Sequence, residues 1–222
     1  MQYQCPGPAD LENVFVLNRA FIAWQRSMSR KQAPESGPGP GIPARLDALD
    51  GAQRERLART PFLLMSLAED DELRWQSLFN EQRTRDLLQC MQPRDEAASK
   101  IIAAGLGFLW QLSQRNAYAA RLVSGASMDW CEQLSACTLM DLIARALEDQ
   151  ALLAPRMADR RDLWDRLLTA GVSTRRQVRL AARAATLQAV LIQSPSRPFR
   201  PLAAAACKTP PARARGSRRP GE

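Results

Sequence analysis

The stretch that begins at Glu96 constrains the fold most. Ile101, Ile102, Leu106, Phe108, Leu109, Trp110 and Leu112 recur so densely that a helix carrying them is apolar on most sides. Such a helix has to be enclosed, and the rest of the chain supplies no set of strands to enclose it. The expected class is therefore all-α: an irregular multi-helix bundle of seven or eight helices, with a disordered basic C-terminal tail.

The organisation follows from caps and breakers. Residues 1–9, with Pro6 and Pro8, read as a loose N-terminus. A region over 10–92 follows, opened by Asp10 as the cap of a helix to about Arg30. Within it, residues 33–43 hold four prolines and three glycines and predict a loop. Asp50 caps a short helix that stops at Thr60-Pro61. Pro61 to Leu67 is a dense apolar run, expected as a buried helix starting at Pro61, with a short strand as the alternative. Residues 96–193 form the main helical domain, with a break at Asn116 and Tyr118, and Ser127, Thr138, Asp162 and Ser173 or Thr174 at helix starts. Pro155 ends one helical region. No internal repeat of 20–50 residues is visible.

Charge is unevenly distributed. The chain carries +8 overall, but residues 195–222 hold seven basic side chains and one acid. The remaining body is close to neutral, so the basic character belongs mainly to the segment 194–222. Alanine, proline and scattered arginine there predict disorder. No apolar run reaches the length of a membrane span, and no basic stretch followed by an apolar one opens the chain. Together with five cysteines in no framework spacing, this predicts a cytoplasmic protein without membrane insertion.

The chain has no histidine. That removes the most frequent general base and every Ser-His or Cys-His nucleophile pair. Cys5, Cys90, Cys131, Cys137 and Cys207 show no metal-ligand spacing, so neither metal nor other cofactor is expected. Glu69-Asp70-Asp71-Glu72 reads as a helix-start acid cluster, with a Mg²⁺ site as the sharper alternative. The chain is expected not to be an enzyme.

One segment suggests recognition. Asp162 to Arg183 reads as two helices joined by Ala170-Gly171-Val172-Ser173. Glycine would permit a left-handed turn, Val172 would plug the core and Ser173 would cap the second helix, as in a helix-turn-helix. Arg175, Arg179 and Arg183 fall at i, i+4 and i+8 beside Arg176. That is a basic ridge able to follow DNA phosphates. The alternative is a solvated arginine face. Arg166 and Gln177 stand where such a motif has apolar residues.

Residues 102–169 also carry a family resemblance. Gly105-Leu-Gly-Phe-Leu-Trp110, Val123-Ser-Gly-Ala-Ser127, Cys137-Thr-Leu-Met-Asp-Leu-Ile143 and Asp149-Gln-Ala-Leu-Leu153 resemble the D subunit of the bacterial flagellar master transcriptional activator. The resemblance implies an all-helical, dimer-forming regulator that works with a partner subunit. The expected function is binding: a helical transcriptional regulator or co-regulator contacting DNA through Arg175, Arg176, Arg179 and Arg183. The alternative is a protein-interaction adaptor, for instance of a secretion or motility apparatus, whose partner is another protein or a second copy.

Overall fold

The computed structural model describes residues 4–31, 41–80, 95–147 and 149–193. In chain order these form α1 (Pro8–Lys31), α2 (Ile42–Asp47), α3 (Gly51–Ala58), β1 (Met65–Ser66), α4 (Glu72–Asn80), α5 (Glu96–Ser124), α6 (Met128–Ala136), α7 (Leu139–Ala146), β2 (Ala154–Pro155), α8 (Arg161–Thr169) and α9 (Arg176–Gln193). The class is all-α, with one two-residue ladder. Most of the expected Pro/Gly loop and all of the basic tail lie outside the described residues. Gly41–Pro43 are described, and Ile42 and Pro43 already open α2, a helix missing from the sequence reading.

Caps locate most helix starts. Asp50 accepts from Gln53 N while Gln53 returns a bond to Asp50 N, a full capping box. Ser127 accepts from Trp130 N at 3.0 Å. Asn116 leaves helical geometry and divides α5, as its position in the sequence suggested. Its Oδ1 accepts from Ala119 N and re-caps the second part. Asp10, expected as a cap, lies inside the first turn of α1, which proline opens at Pro8. Asp10 instead accepts from Gly7 N and pairs with Arg115 of α5 at 2.7 Å.

One buried cluster runs from Val14 to Val172. The long apolar helix α5 packs against α1, α6 and α7. Ile102, Leu106 and Leu109 are fully enclosed.

The run after Pro61 corrects the expectation of a helix. It is non-helical and largely buried, bending before it enters β1, which pairs antiparallel with β2. Pro155 lies in that second strand, three residues after the 3-10 turn Gln150–Leu152 that closes the helical region before it. A buried non-helical backbone must find hydrogen-bond partners elsewhere. Asn18 of α1 donates to the carbonyls of Ala58, Thr60 and Phe62 and accepts from Leu64 N. Leu63 N donates to Val123 O. Arg156 donates to the carbonyls of Leu63 and Met65. Apolar residues on every side suit a buried helix and a buried strand alike. These distant side chains decide between them.

Candidate binding surface

The segment with the recognition-like pattern folds as α8, a 3-10 turn over Ala170–Val172, and α9. Val172 is buried in the core cluster, as a plug would be. Ser173 Oγ accepts from Arg175 N at 3.2 Å at the entry to α9. Gly171 does not play the role expected of it. It sits in the 3-10 turn without a positive φ, which among the described glycines belongs to Gly125. The chain turns here by tightening the helix.

The structure divides the four arginines into two pairs. Arg175 and Arg176 are exposed, with no partner among the described residues. Arg179 folds back, donating from Nη1 to the carbonyls of Ser173 and Thr174 at 2.7 and 3.3 Å. It closes the turn that precedes its own helix. Arg183 leans into the body and donates from Nη2 to the carbonyl of Arg56 on α3. Its Nε is buried without a partner. Burial, then the neighbouring charge of Arg179, pushes the Arg183 guanidinium down to about 10.

The solvent side of α9 is chemically unusual. Among the described side chains of α9, only Ala182, Thr186 and Val190 are buried. Beyond Arg176, the exposed residues are Gln177, Val178, Leu180, Ala181, Ala184, Gln188 and Ile192, none of them charged. Leu180 is 50% exposed and Ile192 71% exposed. Arginine spacing alone does not point to this face; its signal in the sequence is the charge-free run from Ala184 to Gln193.

Two shallow clefts accompany these elements. One, of about 220 Å³, is lined by Gly41, Ile42, Pro43, Arg45, Pro155, Ala158, Arg161 and Trp164. The other, of about 210 Å³, lies between α1 and α3. Its arginines are engaged: Arg19 pairs with Glu55, Arg26 with Asp47, and Arg54 donates to Leu49 O.

The acidic cluster does not act as a unit. Glu69 is buried against Arg156 at 2.6 Å. It also accepts from Leu67 N and Ser66 Oγ. Asp71 accepts from Arg74 N at the start of α4. Glu72 accepts from Gln76. Among the described residues no three His, Cys, Asp or Glu side chains gather as a metal site. Cys131 is enclosed, and burial, followed by the charge of Glu69, pushes its thiol up to about 12. Among the described residues no helix is long and apolar enough to cross a membrane. Neither a family model, nor a curated protein, nor a solved structure matches this chain.

Proposed function

We propose that the protein acts by binding, as a helical regulatory or adaptor protein, and that the outward face of α9 is its contact surface. The observation that carries this is the uncharged solvent side of α9, with Leu180 and Ile192 standing in water. A surface helix ordinarily turns charge outward. Large apolar side chains exposed on an uncharged face, here interrupted by Gln177 and Gln188, suit a protein contact. Arg175 and Arg176 flank one end of this face, and the seven basic residues of 195–222 follow the other end in sequence. A partner helix with an apolar stripe between acidic flanks has the matching chemistry. The regulatory character is what the resemblance of residues 102–169 implies.

DNA is the second reading, favoured by exposed Arg175 and Arg176 at the N-terminal end of α9. A helix start suits phosphate, but two arginines make a shorter ridge than four.

The test places a photo-crosslinking side chain at Leu180 or Ile192 of the full chain in its native cells. The expected result is a discrete protein adduct, lost when Leu180→Asp is added to the Ile192 probe. Retention on duplex DNA with a steep salt dependence, abolished by R175A/R176A and untouched by L180D, would replace this reading with the second.

A further inference from the structure

The element order repeats. Helices α1, α2 and α3, strand β1 and helix α4 are followed by α5, α6 and α7, then, after a 3-10 turn over Gln150–Leu152 that the first half lacks, β2 and α8. The spacing is 89 residues over the strand and last helix, and it is kept in detail. Trp75 Nε1 donates to Leu67 O at 3.1 Å, and Trp164 Nε1 donates to Arg156 O at 2.8 Å. Asp71 N donates to Ala68 O, and Arg160 N donates to Met157 O. Among the described residues the non-glycine positions with positive φ are Ala68 at 53° and Met157 at 50°. Each pair is 89 apart. A left-handed alanine or methionine is uncommon and strained. Its occurrence at the same place in two identical hydrogen-bonded turns is not a product of helical periodicity.

The spacing is 88 residues one step earlier in the chain. Asp50 and Thr138 are the side chains that cap α3 and α7. Leu46 on α2 and Leu134 on α6 are both fully buried. Trp130 of α6 stands edge-on to Trp75 at 5.0 Å, and its counterpart Ile42 lines a cleft with Trp164.

The halves meet about a local two-fold axis. In the ladder Met65 faces Pro155 and Ser66 faces Ala154. A shift of 89 turns the first pair into the second, which is the signature of a self-complementary contact. Helices α1 and α5 run antiparallel across the same axis, tied by Asp10–Arg115 at one end and Trp24–Asp95 at the other.

We infer that the chain is a fused pair: one unit of helix, helix, helix, strand and helix present twice, each half presenting an inner face that fits a second copy of the same unit. Few residues coincide, notably Leu63 with Leu152, Leu64 with Leu153, Asp70 with Asp159, Trp75 with Trp164 and Leu78 with Leu167. They belong to the two residues that lead into the strand, the strained turn and the helix after it. The halves differ where Arg156 and Glu69 meet, since their counterparts are Leu67 and Ala158. The buried ion pair is therefore built on one side of the axis only.

The test exchanges the segments Leu63–Asp70 and Leu152–Asp159 within the full chain. A one-sided exchange writes one segment at both places and breaks the ion pair. The reciprocal exchange rebuilds the ladder and the Arg–Glu ion pair on the opposite side of the axis, and leaves Asp71–Arg74 and Arg160–Asp162 in place. The expected result is that the reciprocal chain keeps its helical circular dichroism. It recovers most of the melting temperature that the one-sided chains lose, in the manner of a double-mutant cycle. A reciprocal chain that melts no higher than the one-sided chains overturns the inference. A second measurement requires no repacking. Ala68→Gly and Met157→Gly are each expected to raise the melting temperature by about 1–4 °C, because glycine accepts positive φ without strain. A rise at one position and a fall at the other overturns it as well.

Discussion

Arg156 of the second half reaches Glu69 of the first at 2.6 Å, with both side chains less than one-tenth exposed. The same guanidinium holds the carbonyls of Leu63 and Met65, so one side chain fixes both a charge and a strand. Removing one partner of a buried pair leaves the other uncompensated. Arg156→Met is expected to lower the unfolding free energy by about 3–5 kcal/mol. Glu69→Gln, which keeps an acceptor, is expected to cost less, about 1–3 kcal/mol. Urea denaturation followed by tryptophan fluorescence measures both. Equal, small losses from the two variants would show that the pair bears little on stability.

Gly125 ends α5 with φ 72° and lies under Val190 of α9. A Cβ there would fall 2.2 Å from Val190 Cγ1. Gly125→Ala is expected to destabilise by about 2–4 kcal/mol, combining the φ penalty with overpacking. Val190→Ala in the same chain should recover part of the loss by making room. Gly105 is the control: its Cβ would press on the flexible end of Met65 at 2.7 Å and make ordinary contact with Leu67 Cδ1 at 3.6 Å, so Gly105→Ala should be milder. Differential scanning calorimetry of the variants checks the order.

Cys131 stays protonated in the folded protein to about pH 12, well above the ordinary thiol value, because burial disfavours the thiolate. Its folded pKa is raised, so its contribution to stability is full below about pH 9 and is lost as pH rises towards 12. Relative to Cys131→Ala, the wild type should lose stability across that window. At pH 8 iodoacetamide should label exposed Cys5 in the native state and reach Cys131 only on unfolding. Peptide mapping by mass spectrometry reads the outcome. Rapid native labelling of Cys131 would contradict the enclosure.

The four arginines of α9 should separate in a thermal-shift assay. Arg175→Ala and Arg176→Ala touch no described neighbour and are expected to change stability by less than about 0.5 kcal/mol. Arg179→Ala removes the donor to Ser173 and Thr174 and should cost about 1 kcal/mol. Arg183→Met should be neutral or stabilising, since the half-buried guanidinium has an unpartnered Nε and a depressed pKa. A large loss from Arg183→Met would show that its bond to the Arg56 carbonyl outweighs desolvation.

Much of the helical architecture was legible because caps and breakers act locally. Asp50, Ser127, Thr138 and Asn116 each do in the structure what their side chains and positions suggest. The functional surface was less legible. The spacing of Arg175, Arg179 and Arg183 is correct as a helical ridge. Spacing does not reveal that two of the three turn inward to carbonyls. The acidic run from Glu69 to Glu72 was equally opaque. One member locks the core, and Asp71 caps a helix.

The sequence by itself determined the class, the starts of the capped helices α3, α6 and α7 and the charge distribution, because propensity, capping and periodicity depend on neighbours a few residues away. Tertiary structure decided the path of Pro61 to Leu67, the pairing of Glu69 with Arg156 and the two-fold relation of the halves. Asn18 lies 46 residues from the Leu64 amide that it holds, and Arg156 lies 87 residues from Glu69. A buried backbone group takes whatever partner the packed chain brings to it. That partner is set by three-dimensional proximity, which no local pattern encodes.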